Sequence, residues 1–152
     1  MRLIGEIMQI GIESNIIVLK LTNDEDVFQS IKNAVKKHEI RSGIIITGIG
    51  MLKDFELGYF DPRGYKTKFF TEPHELVSMM GSIAYSKDEG AKFLPHIHCS
   101  VADRKHHVFG GHLYKGRVNV VNEITMLRLD ELRLNRVKNE KTNLMELNIE
   151  PR

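Results

Sequence analysis

Cysteine is almost missing from this chain: Cys99 is the single one among 152 residues. A lone cysteine excludes an intrachain disulfide framework and fits a reducing compartment. Charge of one sign is scarce too. Against 20 Asp and Glu, the 22 Lys and Arg leave a formal net charge of +2, too small to imply nucleic-acid binding by itself. No apolar run approaches the roughly 18 residues of a membrane span. The first residues, Met1-Arg2-Leu3-Ile4-Gly5-Glu6, meet a carboxylate before a signal-peptide apolar core forms. Low-complexity stretches, long linkers and repeats are also lacking, so residues 1–152 read as a single domain. These absences point to a cytoplasmic protein.

What is present is ordinary for a globular domain. Hydrophobic residues make up 41% and charged residues 28%, and this length can bury roughly two-thirds of the unfolded surface. Ile7 to Leu21 reads as a β-hairpin turning at Glu13-Ser14-Asn15. Thr22-Asn23-Asp24-Glu25 matches a capping box, and Val27, Ile31, Ala34, Val35 and His38 follow at helical spacing. The expected helix runs over about 23–38, roughly four turns, with an acidic start and a basic Lys36-Lys37-His38 end. Ile44 to Gly50 reads as a buried central strand, and its glycines do not open a helix as a phosphate loop requires. Leu52–Tyr59, an edge strand at Lys66–Thr71, Leu76–Ala84, Val118–Leu129 and Leu144–Ile149 are further expected strands. A phase change at Asp130-Glu131 reads as a bulge. The expected class is α+β: a mainly antiparallel sheet of about eight or nine strands with one main helix. Apolar residues on both phases of Leu52–Tyr59 and Leu76–Ala84 suggest a sheet covered on both faces, by the helix or by another subunit.

The chemistry concentrates between Pro95 and Gly116. His96 and His98 are two apart, so on a strand both point to one face. If the chain turns around Arg104, His96 faces His112 and Gly110 faces His98, leaving space above the backbone. Directly opposed residues have Cβ atoms about 4.5–5.5 Å apart. Three imidazoles around an open position suit a divalent transition metal. A bulge at Gly110-Gly111 would instead turn His112 to the opposite face.

Several stretches, in order, carry a resemblance. They are Gly5-Glu6, Ser42-Gly43-Ile44-Ile45-Ile46-Thr47-Gly48-Ile49-Gly50, Glu75-Leu76-Val77-Ser78-Met79-Met80-Gly81, Pro95-His96-Ile97-His98 and Gly110-Gly111-His112-Leu113 with Gly116. From about Gly5 to Leu147 the chain resembles the PPC (plant and prokaryote conserved) domain family. The resemblance implies an antiparallel sheet flanked by helix and association into homotrimers. It also implies a metal site, often called zinc, whose histidines carry over to His96, His98 and His112. In plants the domain follows an AT-hook, an Arg-Gly-Arg-Pro core that enters the minor groove. Lys115-Gly116-Arg117-Val118 lacks the second arginine and the proline, so the chain is similar to the prokaryotic type without an AT-hook. The label that type carries is predicted DNA-binding.

Three functions follow as expectations. A metal with a free position would lower the pKa of bound water and could serve a small-molecule-binding protein or an enzyme of hydrolase or lyase type. Such chemistry needs a proton shuttle, for which Glu75, Glu123 and His74 are candidates. A DNA-associated regulator would draw on Lys36, Lys37, Arg63, Lys66, Lys68, Arg104, Lys105, Lys115 and Arg117. A structural trimer would use the metal for stability alone. Cys99 alternates away from His98 and reads as core, while His106 and His107 sit beside the turn and read as solvated.

Overall fold

The computed structural model describes residues 8–87 and 90–152. Gly5, Glu6 and Ile7, which carry part of a motif and the start of the hairpin, lie outside the described residues. Strands β1 (Gln9–Glu13) and β2 (Ile16–Thr22) form the expected hairpin, with Ser14 at φ 53° in its turn. Along β2, Ile17, Leu19 and Leu21 are buried while Ile16 and Val18 face out, the period of two that one covered face imposes.

Helix α1 (Val27–Lys37) starts later than the sequence suggests and spans 11 residues, about three turns. Glu25 does reach back to Thr22, accepting from its backbone N–H at 2.6 Å and its hydroxyl at 3.2 Å. That contact closes the turn before the helix. The N-cap is Asp26, whose carboxylate accepts from Gln29 N–H at 2.8 Å. The acidic residues therefore precede the first turn rather than fill it. Val27, Ile31, Ala34 and Val35 face the core, and His38 caps the C-terminal end instead of extending that face.

The remaining strands are β3 (Gly43–Asp61), β4 (Gly64–Phe70), β5 (His74–Ile83), β6 (Tyr85–Ser86), β7 (His96–Ala102), β8 (Val108–Arg128), β9 (Leu132–Lys138) and β10 (Met145–Pro151). The class is α+β as expected, with ten strands and one helix among the described residues. Two boundaries move. The expected strands at 44–50 and 52–59 are one strand, β3, bent by register shifts near Gly50 (φ 134°) and Asp54 (φ 47°). Likewise the return from the histidine turn and Val118–Leu129 are one strand, β8. The phase change at Asp130-Glu131 is not a bulge: β8 ends at Arg128, and β9 starts in another sheet.

The larger sheet has the order β1-β2-β8-β7-β5-β3-β4, with β4 at its edge. It also closes on itself, because β3 pairs with β8 along most of its length. Inside that closure Ile45, Leu52, Phe55, Met79, Ile97 and Leu113 are at most 1% exposed, each burial contributing about 1.5–3 kcal/mol. A smaller sheet, β10-β9-β6, contains the parallel pair β6–β9. Buried Ser42 ties the two sheets together, accepting from Leu134 N–H at 2.9 Å through its hydroxyl and from Leu129 N–H at 3.0 Å through its carbonyl. Ile46 and Ile49 on β3, Val77 and Met80 on β5 and Val120 on β8 remain exposed.

Candidate metal centre

The site is made by the β7–β8 hairpin. Its turn is held by Asp103, whose carboxylate accepts from Lys105 N–H at 2.8 Å and His107 N–H at 3.0 Å, with His106 at φ 65°. This turn centres on Lys105, one residue beyond the expected centre, and every cross-strand pair moves by two. His112 therefore faces His98, and Gly110 faces Ser100. A shift of two keeps each side chain on its face, so the three histidines still converge, with His96 diagonal to His112. The pairing from His98 to Ala102 runs without a bulge.

The glycines do a different job from the one their spacing suggested. A Cβ on Gly110 would collide with the Cys99 carbonyl oxygen, and one on Gly111 would lie 2.6 Å from the Gly58 carbonyl oxygen. Their bare backbone lets β8 fit between β7 and β3, and that fit carries His112 to the histidines of β7.

His96 Nε2 and His98 Nε2 lie 3.0 Å apart. Ring centroids are separated by 4.9 Å for His96–His98, 4.9 Å for His96–His112 and 5.4 Å for His98–His112. One nitrogen from each residue can be chosen so that all three lie within 4.8 Å of one another, and the group can hold a metal ion. Tetrahedral zinc with N ligands at about 2.0–2.1 Å brings them to roughly 3.3 Å from one another, a side-chain adjustment. His112 Nδ1 is buried with no hydrogen-bond partner among the described residues, an orphaned lone pair or proton that a ligand would satisfy. Burial, followed by His96, His98 and Arg136, pushes His112 down to about 4. His96 is lowered by burial, then by Arg136 and His98. Imidazoles kept neutral are the form that binds a cation.

Tyr65 and Tyr114 enclose His112, at 5.5 and 4.6 Å between centroids. Neither was singled out by the sequence, and nor was Arg136, which reaches the site from β9. Its signal was present: Leu132, Leu134 and Arg136 alternate along one strand, placing the arginine in phase with two leucines.

The shuttle candidates lie elsewhere. His74 pairs with Leu52, six positions along β5 from Met80, the partner of His98, or about 20 Å of strand. Glu75 neighbours it and is exposed, and Glu123 is exposed on the far part of β8, opposite Lys20. Cys99 is buried as expected, its thiol pushed up to about 12 by burial. His106 and His107 are exposed, as expected, and His107 pairs with Asp103 at 3.2 Å. The basic residues are spread over several elements. Among them Lys115 pairs with Glu56 at 3.2 Å, Lys66 pairs with Asp61, and Arg117 donates to the Asp24 carbonyl. No helix is long and apolar enough to cross a membrane among the described residues.

The chain is 26% identical over 134 residues to the bifunctional protein GlmU of a Synechococcus strain, covering 88% of this chain and 20% of that protein. It thus spans about a fifth of the curated relative's length. The crystal structure of a plant- and prokaryote-conserved (PPC) protein from Pyrococcus horikoshii is 29% identical, with a TM-score of 0.78 over 96% of this chain and 97% of that one. A Bacteroides thetaiotaomicron protein whose name gives DNA binding as provisional shares the fold at 23% identity, TM-score 0.83, over 94% and 98% of the two chains. So does a metal-containing protein of Archaeoglobus fulgidus, at 24% identity, TM-score 0.79, over 95% and 99%. Residues 8–130 match the Plants and Prokaryotes Conserved (PCC) domain, and the chain belongs to that family.

Proposed function

We propose that this chain is a homotrimeric metal-binding protein of the cytoplasm, one domain over residues 1–152, that holds zinc through His96, His98 and His112 and recognises a small molecule beside it. The observation that carries this reading is the convergence of three imidazoles from two paired strands, with His112 Nδ1 buried and unpartnered. The metal-containing protein of the same fold from Archaeoglobus fulgidus supports it. When bound, such an ion supplies a Lewis acid and a site for water or ligand. The protein's own part is to favour neutral His96 and His112 by burial and to position all three imidazoles through the β7–β8 register. The trimer draws support from Ile46 and Ile49 on β3, and from Val77, Met80 and Val120 on the two strands, β5 and β8, that pair with it, all apolar side chains exposed to solvent.

Elemental analysis of tag-free protein, with mass by light scattering, tests both parts. About one zinc per chain in a trimer, lost in His98→Ala with the fold retained, is the expected result. His98→Ala that binds as much metal as the parent overturns the ligand assignment, and a monomeric mass overturns the trimer.

A second reading, association with DNA, is favoured by the provisional name of the Bacteroides neighbour. Its physical support is the scattered basic surface, several of whose members already have acidic or carbonyl partners. Under this reading a complex forms at low salt and weakens steeply as salt rises. Absence of any retained complex at low salt sinks it.

A further inference from the structure

Beside the histidines a cleft of about 460 Å³ opens between the two sheets. His96 and His112 form one wall, Tyr65, Leu94 and Leu147 supply apolar surface, and Arg136 reaches in from β9. Arg136 is 4% exposed. Its Nη2 donates to Ser82 Oγ at 2.6 Å, and no carboxylate pairs with it among the described residues. A guanidinium carries five N–H donors in a planar fork, and beyond the bond to Ser82 the others meet no protein acceptor among the described residues. A buried cation without an anion is costly to keep. A ligand that brings the missing anion would satisfy it, and the cleft gives that ligand a way in.

We propose that Arg136 is the anion-binding group of this cleft, and that the ligand is a small carboxylate with an apolar body. The carboxylate meets the Arg136 fork, and the body lies against Tyr65, Leu94 and Leu147. A singly charged group fits better than a phosphate, because Glu146 also lines the cleft and repels a second negative charge. The inference deepens the small-molecule part of the proposed function and does not need the metal, since Arg136 and the apolar wall belong to the metal-free protein as well.

Titration calorimetry with benzoate and its neutral isostere benzamide, on metal-free and zinc-loaded protein, tests the proposal. Saturable benzoate binding is expected, with benzamide weaker by about tenfold or more, the effect of losing a charge-assisted pair of hydrogen bonds. Arg136→Met should weaken benzoate by a similar factor while zinc stoichiometry and circular dichroism stay unchanged. If Arg136→Met does not fold, Arg136→Lys keeps the charge without the fork, and benzoate affinity must still fall several-fold. Equal binding of the two probes, parental benzoate affinity in the folded variants, or no saturable benzoate binding to either form of the protein overturns the proposal. Failure of the parent to take up zinc overturns the metal reading instead, and the benzoate comparison on metal-free protein is unaffected by it.

Discussion

Two histidine environments, one buried and one half-buried, sit toward opposite ends of the β5–β7–β8 surface. His74 is ringed by Phe55, Phe70 and Phe109, with centroids 5.2, 5.6 and 5.5 Å away, and its Nδ1 is satisfied by the Glu72 carbonyl at 2.8 Å. His112 is flanked by Tyr65 and Tyr114, faces two further histidines, and leaves Nδ1 unpartnered. His74 is buried and His112 half-buried, yet both rings pack edge or face against aromatics, so aromatic packing does not separate them. What separates them is whether the polar atom is already paired. His74 is a satisfied member of an aromatic nest, while His112 Nδ1 finds no hydrogen-bond partner among the described residues.

The largest expected difference follows from this contrast. His112→Ala should abolish metal binding and leave the fold, whereas His74→Ala should keep about one metal per chain and lower the melting temperature. Inductively coupled plasma analysis beside a thermal melt reads both, and metal loss in His74→Ala would erase the distinction. Phe55→Ala, at the heart of the His74 nest and 0% exposed, should destabilise by about 3–5 kcal/mol in denaturant unfolding with no change in metal content.

The pH response should report on the histidine cluster. In the metal-free protein His112 is held at about 4, against an ordinary value of 6.5. As pH falls through that window the unfolded chain takes up a proton that the native state refuses, so stability falls with it and levels off below. Melts between pH 6.5 and pH 4 should show the decline, and His112→Phe should flatten it. An unchanged slope in that variant would assign the pH dependence elsewhere. The smallest effect is outside both regions. Asp26→Ala should cost about 1 kcal/mol through loss of the N-cap and leave metal binding as it was. A cost near zero, with the same loss appearing in Thr22→Ala, would restore the earlier helix start.

Much of this was legible in the sequence, for identifiable reasons. The shared face of His96 and His98 follows from the two-residue period of a strand, which no tertiary context alters. The opposite partner of His112 was misplaced by two because turn geometry sets register, and Asp103 draws the turn one residue further than symmetry about Arg104 suggests. The long strands β3 and β8 each read as two, since glycines and residues at positive φ resemble breaks when they are bends within a continuous ladder. Thr22 and Glu25 do interact, but a local contact does not say which side of it the helix begins. Alternation with Leu132 and Leu134 marks the face of β9 that Arg136 shares, but not what that face meets, because no local pattern encodes which residues of separate sheets come together.

One consequence of the closed sheet concerns how the histidine cluster can be lost. The segment of β8 that carries His112 is hydrogen-bonded to β7 on one side and to β3 on the other, through His98 and Gly58. It has no free edge from which to fray, unlike β4 at the rim. Amide exchange at His112 is therefore coupled to cooperative opening of the sheet rather than to local breathing. The arrangement of the three histidines is accordingly kept as long as the molecule is folded, and it disappears in the same event that unfolds it.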